Sequence, residues 1–244
     1  MGIRITVQKR NQVIEVSPII AMTSWPGRIE QARKAIENIH RVAPGYPVVL
    51  TLSKEEFPHG APKTGADDVI MCDRNIGPFK KMLYAMEQFY AHSVVSVDDD
   101  AMYRTNFPEL LYRKWLECGG EHRNLIVTNT PNVKTGGVKV PNGYCTFYPH
   151  NCLKGALEML TPRIVATNND DTYYGTILTA RNFEFEYLHM GDRIATFVDD
   201  GQGLGETGKY RTGNKDLEVI VDELKKWKEF APMNELFNRK WMER

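Results

Sequence analysis

The stretch Ser93-Val94-Val95-Ser96-Val97-Asp98-Asp99-Asp100-Ala101-Met102-Tyr103 decides how this chain is read. Its first half is β-branched and apolar, the composition of a strand buried on both faces. Its second half sets three carboxylates side by side, residues that are costly in a core unless paired. A buried parallel strand that stops here delivers Asp98, Asp99 and Asp100 to the carboxyl end of a sheet, the edge where open α/β folds bind ligands. Like charges held together call for a counter-charge. Hard Mg²⁺ or Mn²⁺ takes one or two carboxylate oxygens and completes its shell with substrate phosphates. An isolated acidic triplet is more often a solvated turn, so the flanking segments carry the decision.

Working outward, Ile76-Gly77-Pro78 leads into a helix predicted over 79–90, with Pro78 near the first turn where it is tolerated. Lys80 and Lys81 stand at its start. Earlier, 69–72 is a short strand closed by Asp73, 48–52 another strand, and 29–40 a helix with Ile29, Ala32, Ile36 and Ile39 on one face. Residues 17–22 read as the first central strand, ending in the donor-rich loop Thr23-Ser24-Trp25-Pro26-Gly27-Arg28. The order β-α-β-β-α-β, ending in the acids, argues for a mostly parallel sheet with right-handed crossovers. Residues 1–16 read as a hairpin, with Ile3, Ile5 and Val7 alternating against polar neighbours. That strand reading is preferred to the loose myristoylation pattern that Met1-Gly2 also fits.

Downstream, 107–118 is a predicted helix, 125–129 a strand, 130–143 a surface loop, 144–148 strand-like and 153–160 helical. Thr167-Asn168-Asn169-Asp170-Asp171-Thr172-Tyr173-Tyr174 forms a second acidic knot before a helix to about Ala180. Asp170 or Asp171 there is a helix cap or a chemical group. Residues 183–190 read as an edge strand, the five-glycine segment 201–213 as a mobile lid, and 217–244 as a terminal helix. Its Trp227, Phe230, Phe237 and Trp241, set among lysines and arginines, would touch a membrane or a partner, although packing on the sheet is preferred.

A chain of 244 residues, 42% apolar and 25% charged, has material for one large folded domain and is not a disordered one. With 31 basic and 31 acidic side chains the net charge is zero, so no global footprint for nucleic acid or anionic membrane is visible. No apolar run approaches the ~18 residues of a membrane span, and the start does not read as a signal peptide. Cys72, Cys118, Cys145 and Cys152 lack metal-site spacing and read as reduced thiols of a cytosolic protein.

The pieces Met22-Thr23-Ser24-Trp25-Pro26-Gly27-Arg28-Ile29, Leu52-Ser53-Lys54-Glu55-Glu56-Phe57-Pro58, Ile76-Gly77-Pro78-Phe79-Lys80-Lys81, Val95-Ser96-Val97-Asp98-Asp99-Asp100, Asn169-Asp170-Asp171 and Gly213-Asn214-Lys215-Asp216 occur in an order that resembles the bacterial glycosyltransferases of the nucleotide-diphosphosugar transferase (GT-A) fold. The resemblance spans roughly residues 17–220. It implies a single-domain α/β/α sandwich, with 17–106 as the nucleotide-sugar half and 107–216 as the acceptor half. It implies transfer of a sugar from a nucleotide-diphosphosugar, uridine-linked by expectation, to a hydroxyl of a saccharide or glycolipid at the cytoplasmic face of the membrane. Asp98 and Asp100 match the Asp-x-Asp motif that holds Mn²⁺ or Mg²⁺, with His189 a weaker third ligand. Asp171, with Asp170 second, matches the catalytic base of inverting members. Thr23, Ser24, Trp25, Arg28, Asp73, Lys80, Lys81, Asp98 and Asp99 fall on the donor side, Trp25 either stacked on the base or in the core, the latter preferred.

The sequence departs from that pattern at Gly143-Tyr144-Cys145, where paired glycines are expected, and at Thr172-Tyr173-Tyr174, where an apolar-Trp segment is usual. Asp199 and Asp200 are alternatives to His189. The rival functions are an inactive nucleotide-binding scaffold of the same fold and a nucleotidyltransferase, for which residues 23–28 lack the glycine-rich loop. A nuclease or phosphatase would pair its acids with nearby histidines.

Overall fold

The computed structural model describes residues 6–9, 12–15, 17–130, 137–198 and 214–230. Strands β1 (Thr6–Lys9) and β2 (Gln12–Glu15) make an antiparallel hairpin of their own. Next come β3 (Ile19–Thr23), α1 (Ile29–Val42), β4 (Val48–Ser53), β5 (Asp68–Cys72), α2 (Lys80–Gln88), β6 (Val94–Ser96) and β7 (Ala101–Tyr103). The second half runs α3 (Phe107–Glu117), β8 (Leu125–Thr128), β9 (Thr146–Tyr148), α4 (Pro162–Val165), α5 (Asp170–Ala180), β10 (Glu184–Tyr187), β11 (Ala195–Phe197) and α6 (Asn214–Leu224).

Seven strands form one sheet in the order β10-β8-β9-β6-β3-β4-β5. Every neighbouring pair is parallel except those made by β9, which runs antiparallel to both β6 and β8. The carboxyl ends of β3, β4, β6 and β8 therefore share one edge with the amino end of β9. Alternation along each strand feeds two separate cores. Ile19, Ala21, Val94, Ile126 and Tyr148 face one side, with α2, α5 and α6. Ile20, Met22, Val95, Val127 and Phe147 face the other, with α1 and α3. This is the three-layer α/β/α arrangement expected from the sequence.

Several details differ from that expectation. Strand β7 follows the triplet directly and pairs with β11 in a small antiparallel sheet. Asn38 of α1 clamps it, accepting from the Tyr103 N–H (2.6 Å) and donating to the Tyr103 carbonyl (3.1 Å). Residues 153–160 are consecutive turns rather than a helix, because Asn151 (φ 61°) and Gly155 (φ 74°) take left-handed conformations that a helix cannot continue. The last predicted helix is α6, which ends at Leu224 and is followed by a short 3-10 turn, Lys228–Phe230. Phe230 is buried and Trp227 exposed at its edge. The predicted lid 201–213, Asp199, Asp200, Phe237, Trp241 and the first turn of the chain lie outside the described residues. Among the described residues no helix is long and apolar enough to cross a membrane.

Helix α5 approaches the segment before β9 closely. A Cβ on Gly175 would sit 2.4 Å from the Lys139 carbonyl oxygen, so only glycine lets this helix reach its place under the sheet edge.

Candidate active site

The loop after β3 closes on itself through Pro26, which opens a 3-10 turn, and an Arg28 N–H bond to the Trp25 carbonyl (2.9 Å). That turn carries Arg28, only 6% exposed, back over the end of β6. Its guanidinium pairs with Asp99 (3.3 Å) and more closely with Asp100. Ser24 Oγ donates to the other Asp99 oxygen (2.6 Å). Burial pushes the Asp99 carboxyl up to about 6, against the opposing pull of Arg28 and Ser24. Asp100 is raised by burial and by Asp98, with Arg28 pulling the other way.

A second cluster adjoins the first through Asp98. Lys81 Nζ donates to Asp98 Oδ1 (2.8 Å) and to the Gly143 carbonyl (3.1 Å). The Gly143 N–H donates to Asp171 Oδ2 (3.2 Å), so one residue, through the peptide groups on either side of it, links the lysine to the second acid pair. Gly143 is held in turn by its neighbours: the Asn142 N–H donates to Thr128 Oγ1 (3.1 Å), and Thr146 Oγ1 bonds to the Asn142 carbonyl (2.7 Å). Burial works against the Lys81 charge, yet Asp98, Asp170 and Asp171 outweigh it and hold the ammonium firmly protonated. Burial followed by the Asp170 charge raises Asp171 well above the usual carboxylate range. Asp170 is raised by burial, with Lys81 opposing.

The capping role open to either acid falls instead to Asn169. Its side-chain oxygen accepts from the Thr172 N–H (3.2 Å), and its amide donates to buried Asp216 (3.2 Å). Among the described residues, Asp170 Oδ2 and Asp171 Oδ1 are shielded from solvent and have no hydrogen-bond partner. Buried carboxylate oxygens left over in this way are an expense the fold does not need for stability.

Other expected residues stand elsewhere. Lys80 turns away from the triplet to pair with Glu56 (2.9 Å) and reach Asn75 Oδ1 (3.4 Å), so of the two lysines only Lys81 enters the acid cluster. Asp73 pairs with Lys54 at the surface (2.6 Å). The Thr23 hydroxyl is spent on the Thr51 carbonyl (2.7 Å). Trp25 is not a core residue, being 37% exposed at the rim of the donor loop. His189 is exposed, its ring 5.6 Å from Tyr187 and its N–H bonded to the Asn129 carbonyl (2.8 Å). Among the described residues no three His, Cys, Asp or Glu side chains are arranged as a ready-made metal site, and Asp98, Asp100 and His189 are not gathered into one ligand set.

Sequence reasoning missed Gly143 as the link between clusters, and also Tyr103. The Tyr103 hydroxyl donates to the Tyr144 carbonyl and accepts from the Asp98 N–H (3.3 Å), fixing where the triplet begins. Only the unusual Gly143-Tyr144-Cys145 run hinted at either.

The donor set suits a hard dication. Asp98, Asp99, Asp100, Asp170 and Asp171 face two cations, Lys81 and Arg28. Asp98 and Asp100 each keep a carboxylate oxygen beyond the one paired, and their side chains are 33% and 20% exposed. All are oxygen donors of the type Mg²⁺ and Mn²⁺ prefer.

The raised Asp99 has a sign that can be measured. The folded state holds its proton up to about pH 6, the unfolded chain only to about 3.8. Between those values the folded state binds more protons, so metal-free protein is expected to lose stability as pH rises through this window. Urea titrations at pH 4 and pH 7 should show Asp99→Asn losing less than the parent, because the amide has no proton to release.

Among solved structures, the chain is similar to S. aureus TarS 1–349, with a TM-score of 0.51 and 14% identity over 89% of this chain and 68% of that one. It also aligns with the mannosyltransferase PcManGT from Pyrobaculum calidifontis, a complex with GDP-Man and Mn²⁺, at a TM-score of 0.48 and 12% identity over 85% of this chain and 71% of that one. The TarS likeness establishes a shared fold, a mixed α/β chain around a mostly parallel sheet. No protein-family model and no curated protein matches the sequence.

Proposed function

We propose that this protein is a metal-dependent glycosyltransferase that moves a sugar from a nucleotide-diphosphosugar to an acceptor hydroxyl with inversion. The observation that carries the reading is the pair of linked acid clusters at the carboxyl edge of the sheet. One faces the donor loop with Asp98 and Asp100 partly exposed, and the other is buried with carboxylate oxygens unspent. A scaffold that only bound nucleotide would have no use for the second cluster.

In this reading Asp98 and Asp100 hold Mn²⁺ or Mg²⁺, which when bound sets positive charge against the departing diphosphate. Arg28 and the backbone N–H groups of the loop after β3 face the same phosphates. Lys81 stays with Asp98 and fixes its orientation. Asp171 accepts the acceptor's hydroxyl proton as the new C–O bond forms and the bond from the anomeric carbon to the diphosphate breaks. Burial and the Asp170 charge raise the proton affinity of this carboxylate, the direction a general base requires. Residues 17–106 then serve the donor and 107–216 the acceptor, a saccharide or glycolipid of a cell-surface polymer met at the cytoplasmic membrane face.

The test is thermal melting with UDP or GDP, with and without Mn²⁺, on the parent and on Asp100→Ala. Nucleotide should raise Tm only with Mn²⁺ present, and the substitution should remove the shift. If no nucleoside diphosphate moves Tm with any divalent ion, the transferase reading fails.

A further inference from the structure

Each acid of the triplet already has a protein partner, and the two cations that supply them are not equivalent. Lys81 is buried and also bound to the Gly143 carbonyl, so it is fixed in place. Arg28, itself only 6% exposed, reaches its carboxylates from the loop after β3, whose Trp25 stands exposed three residues earlier. Its guanidinium spans two consecutive acids, Asp99 and Asp100. An arginine keeps its charge at any accessible pH, so near neutral pH this ion pair yields to a competing charge.

Two ligands of the proposed site are such competitors. A dication competes with Arg28 for Asp100, and a diphosphate competes with Asp100 for Arg28. Whichever arrives first frees the partner that the other needs. Resting on the transferase reading, we propose that Arg28 is an internal stand-in for the metal, held on Asp100 until a nucleoside diphosphate draws it off, so that nucleotide and cation bind in mutual dependence. Arg28 is thus a positioning residue whose resting contact keeps the metal site closed to free cations. The coupling is reciprocal: the factor by which nucleotide strengthens cation binding is the factor by which the cation strengthens nucleotide binding.

The experiment measures Mn²⁺ binding from the paramagnetic signal of the free ion, with and without UDP or GDP, on the parent, Arg28→Gln and Arg28→Lys. Without nucleotide the parent should bind Mn²⁺ weakly and Arg28→Gln about tenfold or more tightly, since the place on Asp100 is then vacant. Nucleotide should strengthen Mn²⁺ binding strongly in the parent and several-fold less in Arg28→Gln. Arg28→Lys, which keeps a charge but loses the two-acid span, should fall between them and guards against Arg28→Gln failing to fold. Melting supplies an independent readout: Mn²⁺ alone should raise the Tm of Arg28→Gln more than that of the parent. If the variants bind Mn²⁺ with nucleotide yet gain nothing without it, the role given to Arg28 is wrong while the metal reading stands. If no protein binds Mn²⁺ even with nucleotide, the metal reading falls and takes this inference with it.

Discussion

In Asp171→Asn, the sugar transfer proposed above is expected to fall by about 10²–10⁴-fold, the contribution of a positioned general base. The asparagine keeps the shape and the oxygen that accepts from the Gly143 N–H, so the donor should bind as before and the loss should sit in kcat. Stability should move the other way. Asp171 is held near Asp170 with one oxygen unpartnered, and its proton affinity is raised by burial and by that neighbour. A carboxyl with a raised folded-state pKa weakens the fold once pH exceeds its unfolded value, so at pH 7 the amide variant should melt above the parent. A purely structural acid would show the opposite, a lower Tm with kcat little changed. Turnover within about threefold of the parent would move the base to Asp170.

The second large effect is expected at Lys81. Lys81→Met removes the cation shared by Asp98, Asp170 and Asp171, leaving buried acids uncompensated at a cost of about 3–5 kcal/mol near pH 7. Because the acids can neutralise by taking up protons, the deficit should shrink as pH falls toward 5, measured as the difference in urea midpoint between variant and parent. At the alkaline end the sign reverses for the parent. A lysine with raised folded pKa stabilises fully below its unfolded value of 10.5 and loses that contribution only as pH climbs through the folded one. Lys80→Met is the control. It breaks the Glu56 pair and costs stability, but nucleotide and Mn²⁺ binding should survive in it and fail in Lys81→Met.

These adjacent lysines mark where sequence reading ran out. Two residues in succession on a helix point about 100° apart, and without the partners' positions nothing in Lys80-Lys81 says which faces the acids. The sheet was legible because Ile19–Met22, Val48–Leu52 and Val94–Val95 are apolar runs too rich in β-branched residues for exposed loops. The candidate site was legible as an acid triplet after a buried strand, followed by a second acid pair. Strand β7 was not, because Ala101-Met102-Tyr103 is short and its pairing depends on Asn38 and on β11, far away in the chain. The turns at 153–160 were misread because a run of helix-forming residues conceals one glycine in a left-handed conformation. Arg28 was expected among donor contacts, but its pairing with Asp100 follows from the turn at Pro26 and has no local signature.

The reversed strand β9 bears on how the chain is made and how it can be divided. When Ser96 leaves the ribosome, β6 has β3 to pair with on one side, but its other edge stays open until Tyr148 has been added. Through that interval Val94 and Val95 sit on an uncovered edge, the kind of surface that recruits other chains. Residues 17–106 are for the same reason not a unit that can be cut free. Their strand β6 is completed only by β9 from the later part of the chain, so these residues are not a separable piece of protein.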